Sequence, residues 1–262
     1  HYKAQKKHAK PLSPEELIQR QLNSNFRIME QIRARVDAIV EDPETAEALK
    51  PYYPYGCKRP TFHDEYLPSF NLPHVHLVDT APMGVQSINE RGVVHDGKEY
   101  PVDVLIYATG FQWMATSTFN MITGRGGRTL QEKWRSEGTR TLLGMQSHGF
   151  PNLMIMSGPQ GGGGQFNFTR VSEMHATYVV WMLETMRERG ARTVDVEKAA
   201  EDDYAAHCRD MDILTSPLRD CLSYYNGDGD AEPGSLAYYG GGVRWHERRA
   251  AAQETLAPYI FD

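Results

Sequence analysis

Two apolar runs that each lead directly into glycine constrain this chain more than any other feature. Leu153-Met154-Ile155-Met156 continues into Ser157-Gly158-Pro159-Gln160 and then four consecutive glycines, Gly161 to Gly164. A helical stripe follows, with Val171, Met174, Tyr178, Met182 and Met186 on one face and an end near Gly190. A strand that opens into a glycine-rich loop at a helix start gathers backbone N–H groups and the positive helix end in one place. A phosphate, a carboxylate or an electron-rich ring edge can dock there. The pattern is not a P-loop, because no Gly-Lys-Ser/Thr follows, and it is not Gly-x-Gly-x-x-Gly. On its own it reads equally as a loop with no ligand.

The second run, Val102-Asp103-Val104-Leu105-Ile106-Tyr107, enters Ala108-Thr109-Gly110-Phe111. Strands buried on both faces of a parallel sheet have this near-continuous apolar texture. Shorter strands are expected at Val75 to Val78 and Val85 to Ile88, and a hairpin at Arg91 to Glu99 around Asp96-Gly97.

Helices dominate the N-terminal part. Ser13-Pro14-Glu15-Glu16 combines a cap, a proline at the first helical position and a glutamate able to bond back to the cap. The apolar stripe from Leu17 to Val40 then stops before Pro43, and a short helix from Glu44 to Leu49 ends ahead of Pro51. Gly124 to Gly127 reads as a surface loop and Val196 to Met211 as a further helix. From Ser216 to Gly242 the chain is rich in Tyr, Gly, Asp and Pro. No repeat of 20 to 50 residues is visible.

Composition removes several function classes. With 28 basic and 34 acidic side chains the net charge is −6, and no basic stripe marks a nucleic-acid binder. The 40% hydrophobic content is near the globular average, which excludes a disordered or collagen-like chain. No apolar run approaches the roughly 18 residues of a membrane span, and basic, polar His1 to Lys10 is not a secretory signal. Cys57, Cys208 and Cys221 lie far apart without a C-x-x-C pair. Neither a zinc ribbon nor a disulfide framework is expected, and a reducing cytoplasm is the default location. His74 and His76 share one face of an expected strand without a third ligand, so no metal is expected.

Val102 to Phe111 resembles the Asp-x-x-x-x-Ala-Thr-Gly-Phe signature of FAD- and NAD(P)-dependent flavoprotein monooxygenases. Gly56-Cys57-Lys58-Arg59, Phe62-His63-Asp64-Glu65-Tyr66 and Phe70-Asn71-x-Pro73 through Thr80 resemble the corresponding stretch of Baeyer–Villiger monooxygenases. Gly149-Phe150-Pro151-Asn152-Leu153 through Gly158-Pro159 resembles their second flavin-domain strand and loop. The match runs in order over most of residues 50–262. His63 to Tyr66 and Asn167-Phe168-Thr169 resemble the branch acting on large cyclic ketones.

The resemblance implies an α/β, Rossmann-like flavoprotein with two dinucleotide-binding domains. Residues 1–50 would form a helical insert, 51–111 the return strands of the NADP-binding domain, and 112–262 the closing part of the FAD-binding domain. A mobile NADP-closing loop would occupy about 216–242. The implied reaction uses FAD, NADPH and O2 to place one oxygen atom beside a ketone carbonyl through a flavin C4a-peroxide, giving an ester or lactone.

The same resemblance assigns the site residues. Arg59 would be catalytic, a guanidinium that stays charged at any working pH and offers a fork of donors to an oxyanion. Lys58 would meet the 2′-phosphate side of NADPH; by composition alone such a Lys-Arg pair is a solvated turn. Thr109, Gly110, Gly158 and Pro159 would contact cofactor, with Asn167 and Phe168 opening the helix that points at the flavin. Gly163, Gly164 and Gln165 would shape the substrate pocket, where glycines leave room for a large ketone. Tyr224, in Ser223-Tyr224-Tyr225-Asn226-Gly227, would close over NADPH in place of the Trp that many relatives carry.

Two Gly-x-Gly-x-x-Gly fingerprints, a Phe-x-Gly-x-x-x-His segment and an Asp that faces the catalytic Arg belong to the family's first half and are absent here. The chain also begins at His1 without an initiator Met. The expectation is therefore the C-terminal half of a Baeyer–Villiger enzyme, inactive alone, whose partner is its own N-terminal half. Hydroxylation of nitrogen or sulfur, and a non-catalytic binding module, stay open as alternatives.

Overall fold

The computed structural model describes residues 13–110, 117–161, 167–212, 221–223 and 241–262. Two compact units divide the chain: residues 1–22, 56–58 and 112–262 form one, residues 23–55 and 59–111 the other.

Helix α1 (Pro14–Ile39) begins with the expected capping box. Glu16 N–H donates to Ser13 Oγ at 3.2 Å, and Ser13 N–H donates to Glu16 Oε2 at 2.7 Å. In the smaller unit, Asp42 caps α2 (Pro43–Leu49) by accepting from Thr45 N–H at 2.8 Å. Val36 and Val40 pack on Ala46, Leu49, Leu67 and Phe70, the last two from the short α3 (Tyr66–Ser69) and its end. Asn71 ties off α1, donating to Ile39 O at 2.7 Å and accepting from Glu41 N–H at 3.0 Å.

An antiparallel sheet follows, made of β1 (Ser87–Ile88), β2 (Gly92–His95) and β3 (Lys98–Pro101) in that order. Asp96 and Gly97 form its turn at φ 48° and 71°, the doubly left-handed geometry that Asp-Gly favours. Val85 to Ile88 yields only the two-residue β1.

The expected strand over Val102 to Tyr107 is not formed. That segment follows β3 without pairing, and its apolar side chains are exposed, Val104 at 75% and Ile106 at 84%. Val75 to Val78 and Leu153 to Met156 likewise lack strand pairing. A continuous apolar run becomes a buried strand only beside partner strands on both flanks, and among the described residues none pairs with these runs. Both sheets described are antiparallel, so the architecture is mixed helix and strand.

The larger unit continues with α4 (Ser117–Met121), α5 (Leu130–Glu137), α6 (Phe168–Arg189), β4 (Val194–Val196), α7 (Lys198–Asp212), α8 (Gly241–Thr255) and β5 (Tyr259–Phe261). Asn167 caps α6, and Gly190 ends it in the left-handed conformation at φ 64°. The core gathers Tyr178 and Met182 of α6, Tyr204 and Cys208 of α7, Trp245 of α8, Leu142 to Met145, and the β4–β5 ladder. Met174 and Met186 pack against it, as the stripe predicts. Helix α7 starts at Lys198 because Val194 to Val196 is spent on β4, paired antiparallel with β5. Among the described residues no helix is long and apolar enough to cross a membrane.

Candidate functional site

The glycine loop is built on two left-handed residues that are not glycine, Ser157 at φ 53° and Gln160 at φ 62°. Such a conformation is disfavoured for an L side chain, so the surroundings must hold it. Ser157 N–H donates to His175 Nδ1 at 3.0 Å, and Ser157 Oγ lies 3.1 Å from Ser172 Oγ. These two bonds draw the start of the loop against the first two turns of α6.

Gln160 is buried and turned inward. Its Oε1 accepts from Thr141 N–H at 3.1 Å and from the Thr141 hydroxyl at 2.7 Å, while its Nε2 donates to Thr139 O at 3.2 Å. Tyr204 of α7 donates its hydroxyl to Gln160 O at 2.9 Å. Close backbone approach then requires glycine: a Cβ on Gly144 would stand 2.2 Å from Gly161 Cα, and one on Gly158 would stand 2.5 Å from Ile155 Cγ2.

His175 is fully buried and stacks on Trp245 with ring centroids 5.5 Å apart. Accepting at Nδ1 places its proton on Nε2, which has no hydrogen-bond partner among the described residues. Burial lowers its pKa from 6.5 to about 4.

The extended passage before Ser157 is anchored as well. Ile155 N–H donates to Met145 O at 2.7 Å, and Asn152, at φ 62°, exchanges bonds with Val194 of β4 at 2.8 and 2.9 Å. Beneath it, buried Lys133 donates to both carboxylate oxygens of Glu201 at 2.7 Å, to Ser147 Oγ at 2.9 Å and to His148 O at 2.9 Å.

Among the predicted site residues, Gly158 is half-buried and Pro159 buried in this loop, with Asn167 and Phe168 exposed at the head of α6. Asn167 Oδ1 accepts from Thr169 N–H at 2.9 Å and its carbonyl from Val171 N–H at 3.1 Å. The exposed helix head at Asn167 and Phe168 presents the positive end of α6, which fits an electron-rich ring edge. Lys58 is exposed beside Cys57 in the larger unit. Arg59, Thr109 and Gly110 are exposed in the smaller unit, without regular structure around them. Gly163, Gly164, Gln165 and Tyr224 lie outside the described residues.

Cys57 and Cys221 correct the expectation of unpaired cysteines. They are disulfide-bonded, with Cα atoms 6.1 Å apart across 164 residues of sequence. Spacing alone carries no signal of a pairing at this range. Gln160 and His175 were also missed, since one is a lone amide in a glycine run and the other a lone histidine on a helix.

No family model matches the chain. A Baeyer–Villiger monooxygenase of Streptomyces coelicolor is 41% identical over 245 residues, which are 88% of this chain and 40% of that protein. Over most of its own length the chain is similar to Baeyer–Villiger monooxygenases. It spans about two fifths of the length of the curated relatives it matches. Among solved Baeyer–Villiger-type structures, the polycyclic ketone monooxygenase of Thermothelomyces thermophila superimposes with a TM-score of 0.83 at 32% identity, covering 98% of this chain and 44% of that one. A steroid monooxygenase bound to NADP gives a TM-score of 0.79 at 29% identity, covering 91% and 46%.

Proposed function

We propose that this chain is the C-terminal portion of an FAD- and NADPH-dependent monooxygenase that inserts one oxygen atom of O2 beside a ketone carbonyl. The observation that carries the reading is the Ser157–Gly161 loop: in a chain similar to Baeyer–Villiger monooxygenases, the protein itself clamps this loop through Gln160 and ties its start to α6 through His175. When bound, FAD supplies the redox chemistry with O2 and NADPH supplies the hydride.

The chain's own residues then bind and orient. Gly158 and Pro159 pass along the flavin, and Asn167 and Phe168 set the positive end of α6 at its ring. Lys58 meets the 2′-phosphate of NADPH as a point charge, while Thr109 and Gly110 border the dinucleotide. Arg59 holds negative charge developing beside the ketone, because its guanidinium stays charged and donates in a fork. Gly163, Gly164 and Gln165 shape the ketone pocket, and Tyr224 closes on NADPH.

The substrate class is a large cyclic ketone. Four glycines from Gly161 to Gly164 leave room in the pocket segment, and a relative in fold is named for polycyclic ketones. The architecture is the two-domain, Rossmann-like one, with residues 1–50 as a helical insert. Its partner is an N-terminal part carrying the two dinucleotide fingerprints. The exposed apolar segment from Val102 to Tyr107 supports this, because strands of that part would cover it.

Supplying that part tests the proposal. Joined or mixed with it, the chain should give a yellow protein that consumes NADPH and O2 in step with ester formation from a cyclic ketone. A folded assembly that never takes up FAD would overturn the reading in favour of a non-catalytic module. Oxidation of amines or sulfides with no ester would replace it with heteroatom hydroxylation.

A further inference from the structure

The Cys57–Cys221 bridge lies within the larger unit, yet neither cysteine belongs to an apolar core cluster. The Cys57 end sits on an irregular turn over Gly56–Lys58, with Gly56 at φ 90°, and Cys221 is described in residues 221–223, which lie in no helix or strand. The sulfurs are covered, Cys57 being 2% and Cys221 7% exposed, but the next residues, Lys58 and Leu222, are exposed. Opening the Gly56–Lys58 turn bares the Cys57 sulfur, which belongs to none of the apolar core clusters. The remaining thiol, Cys208, is buried among α7 core residues, so geometry selects this pair and no other.

We propose that Cys57 and Cys221 form a reversible thiol–disulfide latch, in which oxidation ties the Gly56–Lys58 turn to Cys221 and reduction releases it. The two-electron oxidant is a low-molecular-weight disulfide of the glutathione class. One cysteine thiolate attacks that disulfide, displacing one glutathione thiolate, and the other cysteine thiolate then attacks the mixed disulfide and displaces the second. One S–S bond forms as one breaks, and the two cysteine protons pass to the departing thiolates. A dithiol reverses both steps.

Lys58 and Arg59 follow Cys57 directly in sequence. The latch therefore fixes the backbone that carries Lys58, the cation assigned above to NADPH. That consequence rests on the proposed function, whereas the latch does not.

Equilibrating the chain in glutathione buffers of graded redox ratio, then alkylating with N-ethylmaleimide in denaturant, counts the thiols by intact mass. Three maleimides are expected at the reduced end and one at the oxidised end, with a cross-linked peptide joining 57 to 221 and full reversal by dithiol under native conditions. Hydrogen exchange at Gly56–Lys58 should be about tenfold faster in the reduced chain. Cys57→Ser and Cys221→Ser should each show the fast exchange in both buffers, and Cys208→Ser should still latch; either of the first two suffices if the other misfolds. Three maleimides at every ratio, a link through Cys208, reduction only in denaturant, or equal exchange in both states would each overturn the latch. In the completed enzyme, reduction should raise the KM for NADPH by about threefold or more. An unchanged KM with a working latch would overturn the placement of Lys58, leaving the latch intact.

Discussion

Gln160 Oε1 accepts two hydrogen bonds from one residue, the N–H of Thr141 at 3.1 Å and its hydroxyl at 2.7 Å. An amide that leads into four consecutive glycines is thereby clamped to a segment 19 residues earlier. The clamp fixes the start of the glycine loop from within the chain, which lowers the entropy cost of ordering it around a cofactor.

Replacing Gln160 with Leu removes the acceptor while keeping the volume. Thr141 N–H and Thr139 O are then left buried without that partner, and stability should fall by about 1–3 kcal/mol. Urea unfolding of the chain should show a lower midpoint at unchanged m-value. In the completed enzyme the same change should weaken FAD retention on dilution, a readout that remote destabilisation at equal stability loss would not move.

The Lys133–Glu201 pair is buried and satisfied by Ser147 and by the His148 backbone, whose N–H donates to Glu201 Oε1 at 3.0 Å. Breaking it on one side strands a buried charge. Glu201→Leu alone should destabilise the chain by about 3–5 kcal/mol, whereas Lys133→Met with Glu201→Leu should recover most of that loss. A double-mutant cycle by chemical denaturation measures the difference, and additive losses would contradict the account.

His175 gives the larger unit a pH dependence. Burial holds its folded pKa at about 4, below 6.5, so the unfolded chain takes up its proton first as pH falls. The stability is fully present above about pH 6.5 and drains away as pH drops towards 4, about 3 kcal/mol in all. Denaturation at a series of pH values should show this slope. His175→Asn should remove it, and an unchanged slope in the variant would assign the titration elsewhere.

Much of this was legible in the sequence wherever a signal is local. Ser13 and Glu16 announce a capping box, Asn167 and Gly190 bracket α6, and Asp96-Gly97 sets the hairpin, because each reports on neighbours within a turn. Val102 to Tyr107 misled because its apolar texture reports burial by partner strands, and none pairs with it among the described residues. Lys133 and Glu201 carry no local signal of their pairing, since their partnership spans 68 residues. The Cys57–Cys221 bridge and the Gln160 clamp were hidden for the same reason.

The central claim is oxygen insertion beside a carbonyl by an enzyme of which this chain forms the C-terminal part. Its most direct test gives the assembled enzyme NADPH, 18O2 and a large cyclic ketone, and weighs the product. The account predicts a lactone carrying one atom of 18O, lost together with ester formation in Arg59→Ala while NADPH-driven flavin reduction persists. Unlabelled product, or the same labelled lactone from Arg59→Ala, would contradict it.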